Sequence, residues 1–257
     1  MTSLRGGTAL VTGATAGIGL QFALELANRG MNLVLVARNQ DRLSEIATLI
    51  RNQSGVMVEV IVADLSTREA TDVVALRASQ TDIDLVINNA GFGLNESFAR
   101  SGLEAEQQLL DVLVTAVMRV SHSALPGMIS RNRGGIINVS SVAGWMSSGT
   151  YSAAKAWVTT FSESMSMQLR KSQVHVMALC PGFTRTEFQD RAGMSTDTIP
   201  HWMWLDVSTV VNVALRDFAA GKPVSVPSMK YKALGFIAQY LPRPLVRMLS
   251  VVSRSSE

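Results

Sequence analysis

Tyr151 and Lys155 stand four residues apart in the segment Tyr151-Ser152-Ala153-Ala154-Lys155. On a helix that spacing puts the phenol and the ammonium on one face, within reach of a common ligand. Two unit charges about 5 Å apart at an effective dielectric near 20 attract by roughly 3 kcal/mol. The lysine should therefore lower the tyrosine pKa by about two units from about 10, towards the range useful for acid-base work at neutral pH. A Tyr-x3-Lys pair is common on helices by chance, so the pair takes its meaning from what surrounds it.

A second chemical feature lies near the start of the chain. The apolar run Thr8-Ala9-Leu10-Val11-Thr12 leads into Gly13-Ala14-Thr15-Ala16-Gly17-Ile18-Gly19 and then a helical pattern. Glycines let a backbone turn tightly and approach a pyrophosphate, whose charge is met by the amides and the positive dipole end of the following helix. The spacing Gly-x3-Gly-x-Gly is related to the dinucleotide fingerprint and is weak evidence alone. The second apolar run helps choose the nucleotide. An NAD site normally ends that strand with an acid on the adenosine ribose, and the acid would repel a 2′-phosphate. Here the run Leu33-Val34-Leu35-Val36-Ala37 is followed by Arg38, with no carboxylate. A guanidinium can pair bidentately with a phosphate and stack on adenine, so the expected cofactor is NADP(H).

These residues need elements to position them. Apolar runs rich in β-branched residues alternate with segments of helical period, the pattern of βαβ units around a parallel sheet buried on both faces. Strands are expected near residues 8–12, 33–37, 56–63, 85–88, 136–140, 174–179 and 224–226, and helices at 17–29, 41–52, 67–78, 104–130, 151–170 and 206–219. The expected fold is α/β, a doubly wound, seven-stranded parallel sheet with helices on both faces. The 257 residues suit one such domain, spanning 1–229, with 230–257 as an amphipathic helical appendage. Hydrophobic residues at 47% and charged residues at 17% exclude disorder and coiled coil.

The motifs in order are Thr12-Gly13-x3-Gly17-x-Gly19, Asp64, Asn88-Asn89-Ala90-Gly91, Ser141, Tyr151-x3-Lys155 and Pro181-Gly182-x3-Thr186. Taken together, over about residues 8–226, the chain resembles the short-chain dehydrogenase/reductase family. The resemblance implies a single Rossmann-type domain and hydride transfer between a nicotinamide and a carbonyl or alcohol. By that resemblance Tyr151 donates a proton to the substrate oxygen, Ser141 hydrogen-bonds that oxygen, and Lys155 binds the nicotinamide ribose while lowering the tyrosine pKa. It also implies that Asp64 binds the adenine amino group with Leu65 beside it. Asn89, Ala90 and Gly91 would line the cofactor cleft, and Thr184 and Thr186 would follow the Pro181-Gly182 turn, with Thr186 on the carboxamide. Each of these motifs follows an expected strand, as the rule for ligand sites in doubly wound sheets requires.

Two departures stand out against the resemblance. The family usually carries an asparagine thirteen residues before a helical proline, where it helps hold a proton-relaying water, and counting back from Pro126 lands on Leu113. Leucine cannot hydrogen-bond that water. Another group then supplies the relay, the proton reaches Tyr151 directly from solvent, or turnover is slow. The interval from Ser141 to Tyr151 is also short, ten residues against about twelve or thirteen in the family. Ser140 or Ser147 could take the serine's role, but Ser141, followed by Val142-Ala143-Gly144, matches the motif best.

Bulky apolar residues Phe92, Trp145, Met146, Phe183, Phe188, Met194, Trp202 and Trp204 are candidates for a pocket wall, which suggests an apolar ketone or a long-chain 3-oxoacyl substrate. In the tail, Leu234, Ile237, Ala238 and Leu241, then Leu245, Met248, Leu249 and Val252, form two amphipathic patterns. Their basic residues suit peripheral contact with an anionic membrane, although packing on the domain or a sister subunit is the more ordinary outcome. No Lys/Arg stripe interleaved with aromatics appears in residues 1–229, so nucleic acid is not an expected partner. His122, His175 and His201 are scattered and no metal is expected. One cysteine, Cys180, with no secretory signal, suggests a cytoplasmic protein, and the short apolar runs argue against a membrane span. The family commonly forms homodimers or homotetramers. The rival to a carbonyl reductase is a nucleotide-binding sensor or scaffold of the same fold with little turnover, which Leu113 keeps open.

Overall fold

Along each central strand, alternate residues bury themselves on opposite faces of one sheet, and this period of two builds the core. In the computed structural model, which describes residues 6–193 and 199–240, Ala9, Val11, Leu33, Leu35, Leu85 and Ile87 face one side. Leu10, Val34, Val36 and Val86 face the other. The strands are β1 (Thr8–Thr12), β2 (Asn32–Ala37), β3 (Val58–Val62), β4 (Ile83–Asn88), β5 (Gly134–Val139), β6 (Val174–Leu179) and β7 (Val224–Ser225). They pair in parallel in the order β3-β2-β1-β4-β5-β6-β7. The chain thus steps outward from β1 to β3 and returns to start again at β4. The gap between β1 and β4 is where such a sheet opens for a ligand.

Helices cover both faces. On one side α1 (Gly17–Asn28), α2 (Gln40–Ser54) and α8 (Val207–Ala219) bury Phe22, Leu26, Leu43, Val211 and Phe218 against the sheet. On the other, α3 (Arg68–Ala78) and α5 (Ala116–Ser130) bury Val74, Val120 and Met128. Each such side chain contributes about 1.5–3 kcal/mol by leaving water. Side chains set where helices begin: Asn39, Thr67 and Asp206 accept from the backbone N–H of Arg42, Ala70 and Thr209. The remaining helices are α4 (Leu103–Leu110), α6 (Gly149–Gln168), α7 (Phe188–Arg191) and α9 (Met229–Tyr240).

All seven expected strands form, with the third shortened to Val58–Val62. The expected helix over 104–130 is not one continuous α-helix. Residues Asp111–Thr115 make a π turn between α4 and α5. The extra residue in that turn brings consecutive side chains inward, Val112 to the sheet-facing core and Leu113 to a separate cluster around Tyr151. The stretch Leu103–Ser130 is also, by length and composition, apolar enough to cross a membrane, which the short apolar runs did not suggest. Nearly half of its most apolar window is buried, and Ser121 within it accepts from Asn88 Nδ2 at 3.1 Å, as in a core helix.

The start of the tail is joined to the domain. In α9, Tyr231 is almost fully buried, its hydroxyl accepts from the Phe183 N–H and donates to the Met203 carbonyl, and Gly235 lies against the Trp145 ring. The second amphipathic pattern, from Leu245 to Val252, and Leu241 of the first, lie outside the described residues.

Candidate active site

The crevice at the carboxyl ends of β1 and β4 is held open by small residues and closed at its floor by hydrogen bonds. Gly13 takes φ +67°, and a Cβ there would lie 2.9 Å from the Ala90 Cα. A Cβ on Gly19 would strike the Gly13 carbonyl oxygen at 2.3 Å, so the helix can start against the turn only without a side chain. Thr12 and Asn89 stitch the two loops together. Thr12 Oγ1 accepts from the N–H groups of Asn89 and Ala90, and Asn89 Nδ2 donates to the Thr12 and Gly13 carbonyls. Thr15 is buried, Ala16 is the residue before α1, and Gly17 and Ile18 open that helix with its amides turned to the crevice mouth.

Along one flank, Arg38 is exposed after β2 and acts electrostatically on Asp64, which follows β3. Partial burial pushes the Asp64 carboxyl up, but hydrogen bonds from the Ser66 N–H and hydroxyl and the charge of Arg38 hold it below its ordinary value. Leu65 is buried in the core beneath. A glycine-lined turn at a helix N-terminus, flanked by an exposed guanidinium and a carboxylate, fits a dinucleotide.

On the other flank, the chain after β6 crosses back to the glycine turn. The Thr186 methyl lies where a Cβ on Gly17 would be, 2.9 Å away, and Glu187 forms an ion pair with Arg42 of α2 at 2.5 Å. Thr184 is turned inward, donating to the Gly182 carbonyl, while its own carbonyl accepts from Gln189 Nε2. Pro181 is buried, and Gly182 leaves room for the Tyr231 ring, which a Cβ would meet at 2.1 Å.

The predicted acid-base residues meet at the end of β5. Ser141 and Tyr151 come together despite the short interval between them, because Val142–Trp145 wind into a 3-10 turn that shortens the path to α6. Ser141 also caps that turn by accepting from the Ala143 N–H. Ser140 is excluded as its substitute: it is 2% exposed, and it donates to the Lys155 carbonyl at 2.6 Å and contacts Thr159. Lys155 is 5% exposed, donates from Nζ to the Val139 carbonyl at 2.7 Å, and lies 5.7 Å from the centre of the Tyr151 ring.

The expected lowering of the tyrosine pKa is not found. Burial pushes the Tyr151 phenol up to about 12, with the Ser141 hydrogen bond opposing the rise. Burial pushes the Lys155 ammonium down to about 8, a shift offset only in part by Cys180. The charge-only argument failed because both groups leave water. Desolvation penalises the charged form of each and is the largest influence on both.

Leu113 stands at the position where the family resemblance leads one to expect asparagine. It is 1% exposed and clusters with Leu109, Ala154, Phe92 and Tyr151. Its Cδ2 lies 2.8 Å, and Lys155 Nζ 3.8 Å, from where a Cβ on Gly91 would project. The space beside the ammonium is therefore filled by methyl groups.

A small, partly open hollow of about 40 Å³ lies beside Tyr151. Its walls are Leu94, Phe98 and Leu109, the loop 148–150, and the carboxylates of Glu96 and Glu106. Of the eight bulky residues expected as a wall, none of the seven that are described lines this hollow. Phe188 packs on the Tyr151 ring at 5.9 Å, Phe183 on Trp204 at 5.9 Å, and Trp145 on Gly235, so these aromatics join the chain after β6 and α9 to the domain. Trp202 is 56% exposed, and Met194 lies outside the described residues. Glu106 and Gln189 were missed by sequence reasoning, since an acid in the first turn of a helix reads as an end-capping charge.

Comparison with known proteins agrees with this arrangement. Residues 7–196 match the family model for short chain dehydrogenases. A short-chain dehydrogenase from Sphingobium yanoikuyae, solved in complex with NADPH, is 34% identical with a TM-score of 0.84, covering 91% of this chain and 93% of that one. The bulky-bulky ketone specific alcohol dehydrogenase from Comamonas testosteroni is 30% identical with a TM-score of 0.80, covering 92% and 95%. A very-long-chain 3-oxoacyl-CoA reductase from Laccaria bicolor is 37% identical over 179 residues, 67% of this chain and 53% of that protein, so the chain matches about half of that relative.

Proposed function

The chain belongs to the short-chain dehydrogenase family of oxidoreductases, and on that premise we propose that it reduces a carbonyl to an alcohol with NADP(H). The carbonyl belongs to an apolar ketone or a long-chain 3-oxoacyl compound. The observation carrying this reading is the convergence of Ser141 and Tyr151 beside a buried Lys155, whose Nζ lies 5.7 Å from the centre of the Tyr151 ring, at the edge of a glycine-lined crevice. When bound, the dinucleotide supplies the hydride. The amides of residues 13–19 hold its pyrophosphate, Arg38 its 2′-phosphate, and Asp64 with Leu65 its adenine. Residues Asn89, Ala90, Gly91, Pro181, Gly182, Thr184 and Thr186 line the nicotinamide end.

In this scheme Ser141 donates a hydrogen bond to the carbonyl oxygen, and Tyr151 delivers its proton to the same oxygen as negative charge builds there. A phenol held near 12 is fully protonated at neutral pH. That state suits it to give a proton to an alkoxide and makes it a poor base for the reverse reaction, which favours reduction. Lys155, mostly charged at pH 7, holds the ribose and stabilises the phenolate left behind.

A second reading rests on Leu113. With methyl groups beside the lysine, resupply of the proton is slow, and the protein serves as a nucleotide sensor with little turnover. NADPH oxidation against a panel of hydrophobic ketones and polar sugars, with Tyr151→Phe as control, separates the two. Ketone turnover that drops at least about a hundredfold in the variant supports the reductase. A rate unaffected by the substitution refutes it.

A further inference from the structure

Glu106 lies in the first turn of α4, 5% exposed, on the wall of the cavity that Tyr151 also lines. One of its oxygens, Oε1, accepts from the Ser101 hydroxyl at 2.5 Å. The other, Oε2, is shut off from solvent and has no hydrogen-bond partner. A buried acceptor left unmade costs about 1–3 kcal/mol, more where the group is charged. A turn of the carboxylate toward the adjoining hollow would let this oxygen accept from a donor arriving with a ligand. Glu96 adds a second carboxylate at the rim, and among the described residues no lysine or arginine lines the space. The apolar part of the wall comes from Leu94, Phe98 and Leu109.

We infer that Glu106 is a specificity-determining residue, and that the substrate is a mostly apolar ketone carrying a hydroxyl or ammonium group away from its carbonyl, which Glu106 Oε2 accepts. This inference deepens the reductase reading and rests on it. Tyr151 meets the carbonyl, the body of the molecule lies across the open side of the hollow against Leu94, Phe98 and Leu109, and Glu106 takes the distal donor. The same field opposes a distal carboxylate, because an anion entering the cavity meets two negative groups and no positive one.

The test uses acetophenones and 4-phenyl-2-butanones whose para group is methyl, hydroxymethyl, aminomethyl or carboxyl, with NADPH as reductant. In the native protein the hydroxymethyl and aminomethyl ketones should exceed the methyl ketone in kcat/KM by about tenfold to a hundredfold, and the carboxyl ketone should be the poorest. Each variant is read as a ratio of substrates, so partial unfolding cancels. Glu106→Gln should keep the hydroxymethyl preference and lose the aminomethyl one, and Glu106→Leu should lose both. Calorimetry on the NADP-loaded Tyr151→Phe protein with the corresponding alcohols should show the same ranking without turnover. Ketone turnover with no donor preference, or a preference indifferent to both Glu106 variants, overturns the inference and leaves the reductase standing. Donor-dependent binding with no turnover of any ketone supports Glu106 and refutes the reductase.

Discussion

Lys155 donates from Nζ to the carbonyl oxygen of Val139 at 2.7 Å, so the last residue of β5 anchors a cation that is almost completely buried. One hydrogen bond does not replace the hydration of an ammonium ion, and burial accordingly pushes this group down to about 8 from an ordinary 10.5. Charge at this position is therefore a liability for the fold that the chemistry retains. Replacing Lys155→Met should stabilise the protein by about 1–3 kcal/mol at pH 7, visible as a rise of several degrees in Tm, while abolishing turnover.

The sign of the pH effect follows. Below pH 8 lysine is protonated in both folded and unfolded chains, and the folded state bears the whole burial penalty. Between about 8 and 10.5 the folded protein has released the proton and the unfolded chain has not, so raising the pH relieves the penalty. The stability gap between Lys155→Met and the native protein should accordingly shrink across that window in urea titrations. A gap that is constant from pH 7 to pH 10 would contradict the assignment.

The same two groups set the rate profile of the free enzyme. Tyr151, near 12, keeps its proton through the accessible range, whereas Lys155 loses charge near 8. For reduction, kcat/KM should be level below about pH 7 and fall above about pH 8, with no separate tyrosine limb below pH 11. A Lys155→Arg variant, whose guanidinium does not titrate, should lose the limb near 8 in whatever activity it keeps.

Arg38 and Asp64 face each other electrostatically across the ends of β2 and β3. Arg38→Glu removes the phosphate partner and adds a repelling charge, so NADPH affinity should drop by about tenfold to a hundredfold while NADH affinity holds or improves. Fluorescence titration with both cofactors measures this directly. Loss of the guanidinium should also let the Asp64 carboxyl rise, which a carboxyl-carbon NMR titration reads. Equal effects on the two cofactors would mean that Arg38 is only a solvated residue at a strand end.

How much of this could be read before any coordinates depends on the range of the interaction. The β-branched runs and the Gly13-x3-Gly17-x-Gly19 turn are local, and they appear where their residues dictate. The pairing of Ser141 with Tyr151 is motif-level information that the 3-10 turn at Val142–Trp145 accommodates. What escaped is tertiary. Whether Lys155 lowers or fails to lower the Tyr151 pKa depends on how much water each has lost, which spacing on a helix does not encode. The π turn at Asp111–Thr115 is a one-residue change of backbone register within an apolar stretch, so both registers look alike in sequence. Trp145, Phe183 and Trp204, expected as pocket wall, pack instead against α9 and each other.

Leu113 offers the sharpest test of whether the chemistry is limited by its proton supply. Its methyl groups share the space above Gly91 with Lys155 Nζ, and nothing on leucine can hold a water there. Leu113→Asn puts an amide in the same place. It loses apolar burial and adds a polar group to a packed cluster, so stability should fall by about 2–4 kcal/mol. If the π turn already gives the amide the right approach, turnover should rise several-fold and the alkaline limb of kcat should move, because protons now return to Tyr151 through an ordered path. Leu113→Ala is the control: it opens a similar space without a hydrogen-bonding group and should destabilise comparably without the gain in rate. Stopped-flow separation of hydride transfer from later steps locates the change, and the expected result is an unaltered hydride step with faster proton resupply. If kcat and its pH profile are the same in Leu113→Asn and Leu113→Ala, proton resupply does not limit this enzyme, and Leu113 is only a packing residue of the Tyr151 cluster.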